Sequence, residues 1–292
     1  MKNLYVFLQK TLNMKFQYYS QSVETIAERI NKINQNQLEH ESQKQVFRTI
    51  YNCIDLTTLE GSDNNQKIEE LCEKAKSSIS GYSNETVAAV CVYMPFVKQA
   101  KEILKGTHIE VATVACAFPS GQLPLHLKLA EVSWVANEGA DEIDMVISRG
   151  KMLEGDYEAV LNEIKAVKAA CGEARLKVIL ETGELKTIDL IRKASELALE
   201  GGADFLKTST GKIQPAATAE ASVVMLDTIL EYYQQTGIQV GFKPAGGIAE
   251  PEDAMLYYKL VKEVVGEQWL NNQWFRIGAS RLADKIKAIL NA

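Results

Sequence analysis

Two lysines in this 292-residue chain stand where amine chemistry is feasible. Lys207 closes the apolar run Ala203-Asp204-Phe205-Leu206-Lys207, and Lys243 closes Gly241-Phe242-Lys243. A lysine in such a place is ordinarily solvated or salt-bridged. To attack a carbonyl it must be neutral, and an unperturbed lysine, with a pKa of about 10.4, almost never is near pH 7. Burial or a nearby cation lowers that pKa, and two lysines facing one space can each act as the other's cation. Such chemistry also needs a group that moves protons. The fourth apolar run carries Asp144, in Asp141-Glu142-Ile143-Asp144-Met145-Val146, whose ordinary reading is a plain salt bridge.

Glycines supply a second signal. Gly246-Gly247 follows Lys243 closely, and Gly278-Ala279-Ser280 leads into a helical pattern. Small residues let backbone N–H groups approach an anion, and a helix N-terminus favours negative charge. Either motif alone could be an ordinary turn, but together they suit a phosphate. Lys212, just after Gly211, can add a charge to such a pocket.

These residues need a scaffold. From residue 50 onward, short apolar runs start near Tyr51, Val87, Ile109, Asp141, Leu176, Ala203, Ile238 and Trp274. They are rich in Val, Ile and aromatics and nearly continuous in apolar character, as strands buried on both faces are. Helical patterns lie between them, near 66–79, 97–105, 123–138, 155–170, 186–200, 216–235 and 251–265, with another at 280–291. In one of these, Leu125, Leu129, Val132 and Ala136 form a helical stripe. Eight β units each followed by a helix is the count of the (β/α)8 TIM barrel, an α/β fold whose active sites lie at the C-terminal ends of the strands. An open doubly wound sheet is the alternative. The expected domains are a barrel over residues 49–292 and an N-terminal helical extension over 1–48, with Val23, Ile26, Ile30 and Ile33 at helical spacing. That extension covers one end of the barrel, meets a second copy in a homodimer, or is a disordered leader.

Three blocks resemble the signature segments of the deoxyribose-phosphate aldolases. They are Val178-Ile179-Leu180-Glu181-Thr182-Gly183-Glu184-Leu185, Asp204-Phe205-Leu206-Lys207-Thr208-Ser209-Thr210-Gly211-Lys212 and Gly241-Phe242-Lys243-Pro244-Ala245-Gly246-Gly247. Asp55-Leu56-Thr57-Thr58-Leu59, Asp141–Val146 and Phe275-Arg276-Ile277-Gly278-Ala279-Ser280 support the match, which runs over about residues 46–290. The resemblance implies a class I aldolase that interconverts 2-deoxy-D-ribose 5-phosphate with glyceraldehyde 3-phosphate and acetaldehyde, without a metal or cofactor. By position, Lys207 matches the Schiff-base lysine, Lys243 the lysine that perturbs it, and Asp144 the proton-relay carboxylate. Gly211, Lys212, Gly246, Gly247, Gly278 and Ser280 match phosphate-side positions, and Asp55 and Thr210 count as further substrate contacts. Two departures stand out. Many members carry a second serine where this chain has Arg281, and some use a C-terminal tyrosine where this chain reads Leu290-Asn291-Ala292.

Composition narrows the partners. A net charge of −6 disfavours bulk nucleic-acid binding, which needs a basic face. No apolar stretch reaches the roughly 20 residues of a membrane span. The five cysteines include no C-x-x-C pair, and Cys53, Cys91 and Cys116 lie in apolar runs as small buried hydrophobes. The three histidines, His40, His108 and His126, are far apart in sequence and signal no zinc site. The expected setting is the cytoplasm, with small sugar phosphates and aldehydes as substrates.

Overall fold

The computed structural model describes residues 15–36, 42–79 and 85–291. Its strands are β1 Ile54–Thr57, β2 Ala89–Val92, β3 Glu110–Ala115, β4 Glu142–Val146, β5 Arg175–Ile179, β6 Phe205–Lys207, β7 Gly241–Lys243 and β8 Ile277–Ala279. They lie in the order β7-β6-β5-β4-β3-β2-β1-β8, all neighbours parallel. The outer strands meet through bridges at Phe242–Phe275 and Ala245–Gly278, and Arg276 N donates to Phe242 O at 3.0 Å. The sheet is thus a barrel.

The helices are α1 Val23–Gln35, α2 Gln43–Asn52, α3 Asn65–Lys76, α4 Val97–Ile103, α5 Leu125–Asn137, α6 Arg149–Glu154, α7 Tyr157–Ala170, α8 Thr182–Leu185, α9 Ile188–Glu200, α10 Ala219–Thr236, α11 Pro251–Val264 and α12 Leu282–Asn291. Side-chain caps start many of them. Asn64, Thr187 and Thr218 accept from Lys67 N, Leu190 N and Ala221 N, satisfying donors that have no partner within a helix. The acids of the two Gly-Ala-Asp turns bond the preceding strand, Asp141 accepting from Val111 N on β3 and Asp204 from Leu176 N on β5.

The expected alternation holds, with local differences. Tyr51 belongs to α2, not to the first strand, which begins at Ile54. The reason is visible in α2, where Val46, Phe47, Ile50 and Tyr51 are buried at helical spacing. Helix α2 therefore spans the expected 48/49 boundary, and it packs on α11 and α12. The 155–170 and 186–200 helices are preceded by the short α6 and α8. On α5 the buried positions are Lys128, Val132 and Val135, while Leu125 is exposed. The stripe rotates because the Lys128 ammonium is satisfied inside, donating to Ser148 Oγ and Glu163 Oε2, each at 2.8 Å.

Helix α1 packs on α10 and α11, burying Ile26 and Ile33 but leaving Val23 exposed. Tyr19 and Arg29 both donate to Asp227 on α10, and Lys259 on α11 donates to Asn34 O. Residues 1–14 and His40 lie outside the described residues. All five cysteines are free and buried. Among the described residues no helix is long and apolar enough to cross a membrane.

Candidate active site

Strand alternation sends every second side chain into the barrel. Asp55, Glu142, Asp144, Lys177, Lys207, Lys243 and Arg276 all point inward and are at most 3% exposed. Parallel register sets them against one another: Lys207 opposite Lys243, and Asp144 opposite Lys177. Lys207 and Lys243 donate to the same oxygen, Asp144 Oδ2, at 2.7 and 2.8 Å. Lys177 donates to Asp144 Oδ1 at 3.1 Å and to Glu142 Oε2. Lys243 also forms an ion pair with Asp55 Oδ2 at 2.5 Å. Arg276 reaches Asp55 Oδ1 at 2.7 Å and Glu142 Oε1 at 3.0 Å. The Phe205 ring lies beside this cluster, 5.8 Å from Lys177 Nζ and 5.9 Å from the Arg276 guanidinium carbon.

The buried set holds three carboxylates and four bases, so it balances when one base is neutral. Lys207 is the one among them whose pKa its surroundings lower. Burial lowers its pKa, the Lys243 ammonium lowers it further, and the single Asp144 carboxylate does not offset them. Burial also acts on Lys243, but Asp144 and Asp55 outweigh it and raise its pKa. Asp144 is held well below the usual carboxylate range, because Lys177, Lys207 and Lys243 outweigh its burial.

Above the cluster opens a cleft of about 570 Å³ at the C-terminal ends of the strands. Of the seven charged side chains of this cluster, Lys207 alone lines it. Thr210, Gly211, Lys212, Gly246, Gly247, Gly278 and Ser280 line it too, so the structure brings them together. Gly246, at φ +84°, must be glycine: a Cβ there would come within 2.7 Å of Ala216 Cβ and 2.8 Å of Gly211 Cα. The loops after β6 and β7 are tied together, since Thr208 Oγ1 accepts from Ala245 N at 3.0 Å and Ser209 Oγ donates to Ala245 O. Lys212 pairs with Glu60 across the cleft at 3.1 Å. Arg281 lines the cleft and is exposed.

Asp55 departs from the expected substrate contact. It is fully buried under Lys243 and Arg276 and does not line the cleft, because its strand position lies one inward-facing residue below Thr57, which does. Lys177, Glu142 and Arg276 were missed by a reading confined to strand ends. Their signal is period two: Glu142 lies two residues before Asp144, and Arg276 two before Gly278, on the same inward faces. Lys67 and Lys74, one heptad apart on α3, line the cleft without having been expected. Among the described residues, no group of three or more His, Cys, Asp or Glu side chains could hold a metal ion.

A parallel (β/α)8 barrel with a charged floor and a glycine-lined cleft at its strand ends defines a barrel enzyme. Residues 49–268 match the DeoC/LacD family of aldolases, and this chain belongs to that family. It is 46% identical over 245 residues to human deoxyribose-phosphate aldolase, covering 80% of this chain and 77% of that protein. It is 42% identical over 261 residues to a putative deoxyribose-phosphate aldolase of Caenorhabditis elegans, covering 89% and 86%. The crystal structure of a putative deoxyribose-phosphate aldolase from Coccidioides immitis superposes with a TM-score of 0.70 at 29% identity, covering 91% of this chain and 98% of that one.

Proposed function

We propose that this protein is a class I aldolase that reversibly cleaves 2-deoxy-D-ribose 5-phosphate to D-glyceraldehyde 3-phosphate and acetaldehyde through a Schiff base on Lys207. One observation carries the reading: the only member of the buried charge cluster that reaches the cleft is the lysine whose pKa is lowered. Neutral Lys207 adds to the aldehyde carbon of the open-chain sugar, and the carbinolamine loses water to give an iminium. A base removes the proton of the C3 hydroxyl, the C2–C3 bond breaks, and its electron pair moves to the iminium nitrogen. Glyceraldehyde 3-phosphate leaves, the enamine takes a proton at C2, and water releases acetaldehyde. The iminium is the electron sink, so the route uses no metal or organic cofactor.

Asp144 Oδ2, which accepts from both amines, passes protons between Lys207 and Lys243 with a water. Asp55 acts through Lys243, holding it charged, rather than on the substrate. Thr210, Gly211, Lys212, Gly246, Gly247, Gly278 and Ser280 hold the phosphate, far from the bond that breaks, so its binding energy positions the reacting carbon. The reaction belongs to deoxyribose phosphate breakdown. Free, buried cysteines suit the reducing cytoplasm. The test is borohydride reduction in the presence of deoxyribose 5-phosphate, followed by peptide mass mapping. A reduced adduct on Lys207 supports the assignment, and an adduct confined to another lysine overturns it.

A further inference from the structure

Arg149 opens α6 just after β4, and its side chain is 11% exposed. Its Nη2 donates to Pro119 O at 2.9 Å and Ser120 O at 2.8 Å, in the loop after β3. Its Nη1 donates to Glu181 Oε2 at 3.3 Å and pairs with Glu184 Oε2 at 3.1 Å, both beyond β5. Glu181 is fully buried and has φ +56°, a left-handed conformation that a residue with a Cβ adopts only when its surroundings hold it there. What holds it is a set of bonds to the next loop. Glu181 Oε1 accepts from Thr210 N at 3.0 Å, and Oε2 accepts from Thr210 Oγ1 at 2.6 Å. Thr210 Oγ1 in turn accepts from Lys212 N at 3.1 Å, closing a turn around Gly211. One arginine thus ties four successive loops, and the last of them lines the cleft.

We propose that Arg149 is a positioning residue that sets affinity for the phosphate end of the substrate by locking Thr210–Lys212 through Glu181. This rests on the reading of the cleft as a phosphate site. Arg149 does not line the cleft that contains Lys207, so it acts through the loop and not by touching the anion. The logic is that of a buried carboxylate. Glu181 has neutral donors from Thr210 and one cationic partner nearby, Arg149. Without the guanidinium, the buried carboxylate is left with neutral donors only, so it turns toward other donors or draws in water. Either change weakens its hold on Thr210. The Gly211 turn then has to be ordered when phosphate binds, and that ordering is taken out of affinity. The chemistry at Lys207, held by a separate set of ion pairs, is spared.

The experiment compares wild type, Arg149→Met and Arg149→Lys on 2-deoxyribose 5-phosphate and on unphosphorylated 2-deoxyribose, with inorganic phosphate as a competitive probe. In Arg149→Met, KM for the phosphorylated sugar and Ki for phosphate should each rise about tenfold or more, while kcat changes less than about threefold. kcat/KM for the unphosphorylated sugar should change little, so the preference between sugars narrows. Arg149→Lys should recover only part of the loss, because one compact ammonium cannot span the two carbonyls and two carboxylates that the guanidinium fork reaches. A structural role alone would lower activity on both sugars equally, and that result overturns the proposal. So does an unchanged preference in both variants alongside a wild type that favours the phosphate. A wild type indifferent to the phosphate fails the reading of the cleft itself, and the proposal with it.

Discussion

Lys207 and Lys243 bond the same oxygen of Asp144, yet their surroundings drive them in opposite directions. Both are buried; Lys243 has a second carboxylate, Asp55, and Lys207 does not. That difference yields signed predictions. Lys207→Met should abolish cleavage while keeping the melting temperature at or above that of wild type, since three carboxylates then face three bases. Activity requires neutral Lys207, so it rises with pH through that residue's pKa. Lys243→Met removes the neighbouring cation and frees Asp144 for Lys207, and both changes raise the Lys207 pKa. The acidic limb of kcat/KM should therefore move to higher pH, with a loss at pH 7 of about 100-fold or more as the proton relay is broken. Asp144→Asn should move the residual acidic limb the other way, because the group that raises the Lys207 pKa is gone. A pH–rate profile on each variant reads both signs, and a limb that stays put in both would mean that Lys243 and Asp144 act without tuning Lys207.

At the scale of elements, the cluster exists because strands alternate and their registers are fixed. Gly241 on β7 shows how tightly. A Cβ there would lie 2.2 Å from the Phe205 ring on β6, the ring that flanks Lys177 and Arg276. Gly241→Ala should cost about 1–3 kcal/mol by overpacking, measured by urea unfolding, with a fall in activity as Phe205 shifts against the charges. The order and kind of the barrel elements were legible in the sequence because each strand is an apolar run and each helix a periodic one. Lys207 and Lys243 stood out as candidates because they end their strands, and Asp144 because it lies in a specific block within β4. Lys177 was not, because a single lysine inside Arg175-Leu176-Lys177-Val178-Ile179 looks like an interruption until Asp144 is seen opposite it. Arg149 was equally silent: its partners lie in the loops after β3 and β5, and no local pattern brings them together. The stripe on α5 misled for a related reason, since Lys128 is buried and ion-paired and hydropathy counts it as surface.

Across the whole molecule, the buried charges join strands that are far apart in sequence. Lys243 on β7 and Arg276 beside β8 both hold Asp55 on β1, and Arg276 also holds Glu142 on β4, so the cluster helps to close the barrel. This ties stability to pH. Burial alone would raise the pKa of Asp55, Glu142 and Asp144, but the neighbouring lysines and Arg276 outweigh it and all three are lowered. In the unfolded chain the same carboxylates titrate at about 4. Their stabilisation is therefore complete above about pH 4 and is lost as pH falls toward the folded values, because the unfolded chain there binds protons that the folded one does not. Each such proton contributes about 1.4 kcal/mol per pH unit to the slope, so the three together add up to about 4 kcal/mol per unit over acid pH. Glu142→Gln removes one titrating group and should reduce that slope by about one proton, besides destabilising the protein by leaving Arg276 and Lys177 short of a partner. Urea unfolding of wild type and variant from about pH 5 downward measures both slopes. Equal slopes would show that Glu142 titrates alike in the folded and unfolded chains, and that the cluster does not set the acid limit of the barrel.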